Sequence, residues 1–192
     1  MSTSRIIIIS QLCLFGGLLF CVLIRPAGLF ANNGVSYFGI FKDTILPYII
    51  TLLGPAIMCF VLAEYYGNTQ ILKYGLILSG VMAIGLLLTP YNFSHLFGNL
   101  HDFFGSTLFV SELVIAGYLA FHRHFAYWTL LLLLIQFLAG VAALIYLEPK
   151  HGYMIEAQII FQLAFGQLLY WAKPEPHTSS LNKPGTFLRE QT

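Results

Sequence analysis

Charge is what this chain has least of. Only 9% of its 192 residues are Asp, Glu, Lys or Arg, against roughly 25% in an ordinary soluble domain, and this excludes a water-soluble fold with a charged surface. The formal net charge of +1 excludes the basic face that a nucleic-acid partner needs. Cysteine is scarce too. Cys13, Cys21 and Cys59 form an odd, unclustered set inside apolar stretches, which suits neither a disulfide framework nor a metal site; they are expected to be small packing residues. There is no Walker loop, dinucleotide glycine fingerprint, nucleophile elbow, Cys-x-x-Cys pair or His-Glu-x-x-His helix, so the sequence offers no specific signature of nucleotide, α/β-hydrolase, dithiol or zincin chemistry.

What the chain has in abundance is apolar sequence: 58% of its residues are hydrophobic and its mean hydropathy is +0.79. A helix rises about 1.5 Å per residue, so about 20 apolar residues cross a hydrocarbon layer about 30 Å thick. Six windows meet that length, residues 6–24, 45–65, 71–89, 103–121, 126–147 and 153–172. Their runs are uninterrupted. Helices satisfy their own backbone in lipid, whereas barrel strands would alternate polar and apolar residues. The expected fold is therefore an all-α, polytopic transmembrane bundle of six helices over residues 1–172. Arg5 before the first window suggests a signal peptide, but the apolar core exceeds the usual ~7–15 residues and no small-x-small site follows, so it reads as a retained span.

Six spans put both termini on one side. Arg5, Lys73, Arg123, Lys173, Lys183 and Arg189 lie with the termini and Arg25, Lys42 and Lys150 lie opposite, so the positive-inside rule makes both ends cytoplasmic. The plasma membrane is the expected location. Residues 173–192, with Pro174, Pro176, Pro184 and Gly185, are too polar to offset their ordering entropy and are expected to be a disordered cytoplasmic tail. Trp128 and Trp171 fall at the inner ends of their spans, where amphipathic rings anchor at headgroup level.

Polar residues collect on the outer side. The first outer loop, residues 25–44, carries the turn signal Asn32-Asn33-Gly34 and the aromatics Phe30, Tyr37, Phe38 and Phe41, and is expected to fold back as a cap. The second leads into the fourth span. Ser94 is an N-cap candidate, and a helix from there puts His95, Asn99 and Asp102 on one face, with His101 about 100° away. Gly98 and Gly105 near this stripe leave room for a close neighbour. Histidine serves as donor, base or ligand near neutral pH because its ordinary pKa is about 6.5. His95, Asn99, His101 and Asp102, with Asn32 and Asn33, are thus the candidate ligand-binding residues; the alternative is a hydrogen-bonded helix start that ties the first loop down. The third outer loop adds Lys150 and His151, with Glu156 one turn into the sixth span. Asn92-Phe93-Ser94 matches a glycosylation sequon, but only a secretory-pathway host could use it and the site lies very close to the membrane.

Inside the fourth span stands Glu112. A carboxyl at that depth costs several kcal/mol unless it is neutralised, paired or hydrogen-bonded, so it must face the interior, with Gln136 or one of Gln158, Gln162 and Gln167 as donors. Glu112, Gln136 and Gln162 are the interior polar set. On the inner side, Glu64, His122 and His124 read as interfacial charges, and no pair of facing histidines at one depth supports haem.

The stretch Asn92-x-Ser94-His95 … Gly98-x-x-His101-Asp102-x-Phe104-Gly105, with six spans, both ends inside and a long first outer loop, resembles the DRAM-like six-helix membrane proteins and related bacterial families. The resemblance implies the architecture, with His101 and Asp102 the most similar positions, and implies no catalytic residue set. The preferred expectation is a non-enzymatic membrane protein, without cofactor or metal, whose outward polar pocket binds a lipid headgroup or a small amphipathic ligand. Two alternatives stand beside it: a metal-dependent membrane hydrolase using His95, His101, Asp102 and His151, and a small proton-coupled transporter using Glu112.

Overall fold

An apolar run in hydrocarbon has to satisfy its backbone internally, and this chain does so with helices throughout. The computed structural model describes residues 2–31, 33–66, 69–122, 127–145 and 153–172, and among these there is no strand. Six α-helices follow in order: α1 Thr3–Ile24, α2 Ile45–Tyr65, α3 Gln70–Leu88, α4 His95–His122, α5 Tyr127–Ile145 and α6 Met154–Trp171. Two short 3-10 segments, Pro26–Phe30 and Gly34–Ile40, lie between α1 and α2. Asn32, His151 and the tail at 173–192 lie outside the described residues.

The helices α1 to α4 are long and apolar enough to cross a membrane. Among the described residues the apolar stretch of α5 is Tyr127–Ala143, and the 18 residues of α6 include Glu156, Gln158, Gln162 and Gln167. Exposure argues for lipid on all sides. Leu12 is 67% exposed, Leu46 66%, Val114 57% and Leu138 56%, and each helix carries such residues. A surface of this kind is an aggregation patch in water and an ordinary contact face in a bilayer.

Consecutive helices pack side by side, α1 on α2, α2 on α3, α3 on α4 and α5 on α6, and α4 also meets both α5 and α6. Without a hydrophobic drive between helices in lipid, close backbone approach has to supply van der Waals contact. Gly17 shows it: a Cβ there would meet Thr51 and come within 2.8 Å of the Pro47 carbonyl, so α1 and α2 touch only because that position is bare. One buried cluster, including Leu62, Leu76, Ile115, Leu119 and Leu168, fills the half of the bundle toward the termini. A second, Leu18, Cys21, Phe38, Tyr48 and Ile155, seals the opposite end beneath the 3-10 segments.

The long first loop is a folded cap, as its turn signal predicts. Gly34 has φ of 57°, a left-handed conformation that costs glycine nothing, and the Gln158 side chain lies directly over it. The fourth helix extends well beyond the apolar window at residues 103–121, as the Ser94 N-cap predicts. It begins at His95 and runs for 28 residues, about 42 Å at the standard rise, longer than a hydrocarbon layer about 30 Å thick. Ser94 explains the start, since its Oγ accepts the backbone N–H of Phe97 at 3.3 Å and satisfies one of the helix's orphan donors.

Candidate functional site

The start of α4 sorts its polar residues onto two faces. His95, Asn99 and Asp102 are exposed, and the Asn99 amide donates to His95 Nδ1 at 3.3 Å. His101, a third of a turn away, is buried at 8% exposure. The residues named from sequence therefore form an outward stripe and an inward hook. Asn33 is exposed in the cap, and no hydrogen bond or ion pair to the stripe is recorded among the described residues.

His101 locks the cap to the bundle. Its Nδ1 lies 2.6 Å from the Thr89 carbonyl oxygen and its Nε2 lies 2.7 Å from Ser36 Oγ. A carbonyl can only accept, so Nδ1 carries the proton, and in the neutral ring Nε2 accepts from the Ser36 hydroxyl. Tyr48 of α2 is buried nearby, packed with Phe38 in the second cluster. The chain Ser36–His101–Thr89 joins the second 3-10 segment, α4 and the end of α3. With both ring nitrogens occupied and its ring turned away from His95 and Asp102, His101 cannot share an ion with them. No group of three metal-binding side chains occurs among the described residues.

Further bonds hold the same cap. Thr44, fully buried, donates to the Phe38 carbonyl at 2.7 Å. Gln158 of α6 accepts the Val35 N–H at 2.9 Å, so a residue expected as a donor to Glu112 serves the loop instead. At the rim, Arg25 Nε contacts both oxygens of Asp43 at 2.9 and 3.0 Å, and its guanidinium lies 3.8 Å from the centre of the Phe41 ring. The Asp43 hydrogen bond raises the Arg25 pKa, and the same bond holds the Asp43 carboxyl below its usual value. Burial pushes the Tyr91 phenol up; its ring centre is 5.9 Å from that of His101.

The interior polar set lies deeper. Glu112 is 5% exposed, and Gln162 Nε2 donates to its Oε2 at 2.7 Å, so α6 supplies the expected donor. Ser111 beside it donates to the Leu108 carbonyl and bonds Ser79 of α3, each at 2.8 Å. Gln136 is fully buried, and both its amide atoms are without a partner. Ser36 and Thr44 were not singled out from sequence. Only their partners mark them, and those lie in other segments.

No protein-family model, curated protein or solved structure matches this chain. Its reading therefore rests on its own residues.

Proposed function

We propose that this is a six-span integral membrane protein, both ends cytoplasmic, whose outer surface binds a phospholipid headgroup at the start of α4 without catalysing a reaction. The carrying observation is the stripe itself: His95, Asn99 and Asp102 are exposed beside exposed Leu96, Leu100 and Phe103. A helix face that is polar and apolar at once belongs at the headgroup boundary. There Asp102 accepts from an ammonium group, and His95 with Asn99 offers donors to phosphate or ester oxygens, while the apolar neighbours lie along the acyl chain. The basic-residue count supports the orientation, and α5 and α6 complete the six spans. The resemblance of residues 92–105 to the DRAM-like proteins points to the same architecture. The arrangement of His101 favours this reading over a metal-dependent hydrolase, because both ring nitrogens are spent on the cap.

Native mass spectrometry of the protein released from lipid nanodiscs tests this. Wild type retains an amine-bearing phospholipid, and Asp102→Asn together with His95→Ala loses it while melting unchanged. The same lipids on both proteins would refute the proposal.

A further inference from the structure

An amide buried in a membrane bundle with neither atom paired is too costly to leave alone, and Gln136 is one. Its surroundings follow from the helix register. A Cβ on Gly140 of α5 would strike the Phe109 ring of α4, while Leu132 and Leu133 of α5 pack on the cluster that holds Ile115, Ala116 and Leu119 of α4. The two pairings run in opposite directions along the helices, so α4 and α5 are antiparallel. Gln136, one turn from Gly140, is then level with Glu112, about one turn from Phe109. On α6 the same level is set by Phe161, stacked on Phe109 with ring centres 4.2 Å apart, and by Gln162, bonded to Glu112. Three helices thus bring a carboxyl and two amides to one depth, and one amide is unsatisfied.

The occupant that answers an amide has to donate to Oε1 and accept from Nε2. A metal cation answers the oxygen only; water answers both, and buried waters take two to four such partners. We propose that the bundle holds an ordered water at this level, hydrogen-bonded to the Gln136 amide and shared with the Glu112–Gln162 pair. The site makes the acid of α4 a hydrated one inside the hydrocarbon. It is separate from the outer stripe and stands or falls independently of it.

The test uses the full chain in lipid nanodiscs. Gln136→Leu removes the water's anchor and is expected to lower Tm by about 2–4 °C, and combining it with Glu112→Gln is expected to be non-additive because one water serves both. A rise in Tm for Gln136→Leu, the signature of deleting a dry amide, overturns the proposal, as does strict additivity. A wild-type Tm that rises with sodium chloride but not with choline chloride also overturns it, since the occupant would then be a metal cation. Should Gln136→Leu fail to fold, hydroxyl-radical footprinting of the wild type decides. Phe161, 2% exposed, is expected to be marked, whereas Phe165, 3% exposed in the apolar cluster, is not; an unmarked Phe161 overturns the proposal.

Discussion

The cap bonds its buried side chains to other segments across the sequence, whereas the middle of the bundle leaves the Gln136 amide unmet, as Glu156 Oε2 is at the start of α6. In the cap, His101, Ser36, Thr44 and Gln158 are bonded across 65, 65, 6 and 123 residues of sequence. In the middle, the Glu112 carboxyl takes a donor from Gln162 and Gln136 takes none. The contrast teaches where structure ends and binding begins. Polar groups that satisfy one another hold a loop in place, and a polar group left unmet inside hydrocarbon marks a position that needs a guest.

The comparison breaks first at His101. His101→Ala removes two short bonds and strands Ser36 and the Thr89 carbonyl, so it should cost about 2–4 kcal/mol, read as a lower Tm together with faster proteolysis within residues 26–44. A variant that melts and digests like wild type would show that the cap is held elsewhere. Next comes Gln158→Ala, which frees the Val35 N–H and should cost about 1 kcal/mol. If it behaved like Gln136→Leu with respect to Glu112→Gln, cap and interior would be one network and the contrast would dissolve. The smallest effect is at the rim. Arg25 holds the Asp43 carboxyl below its ordinary value of 3.8, so the pair's contribution is complete above that value and disappears as pH falls through the lowered one. Asp43→Asn should therefore lower Tm slightly at neutral pH, by the pair's whole contribution, and the gap should close in acid; a gap that does not change with pH would remove the pair from the account.

Much of this was legible in sequence. The helices followed from uninterrupted apolar runs, the early start of α4 from Ser94, the cap's turn from Asn33-Gly34, and the divergence of His101 from Asp102 from the 100° step between neighbours on a helix. The partners were not. Ser36 carries no periodic or motif signal, and Thr89 acts through its backbone, so only tertiary packing brings them to His101. Gln158 and Gln162 could not be told apart as donors to Glu112, because they share one face of α6 a turn apart, and only their depth decides which meets the cap and which meets α4. That Gln136 goes unmet is equally invisible along the chain, since it depends on which side chains from α4 and α6 fail to reach it.

The central claim is that α4 passes from headgroups into hydrocarbon, with its polar stripe outside. Single cysteines at Asp102 and Val114, in a background with Cys13, Cys21 and Cys59 replaced, test it with a membrane-impermeant maleimide on intact and opened cells. Both positions are exposed on the helix, Val114 at 57%, so lipid alone can distinguish them. Labelling of Asp102→Cys in intact cells, with Val114→Cys unlabelled in either preparation, is the predicted result. Equal labelling of the two would contradict it.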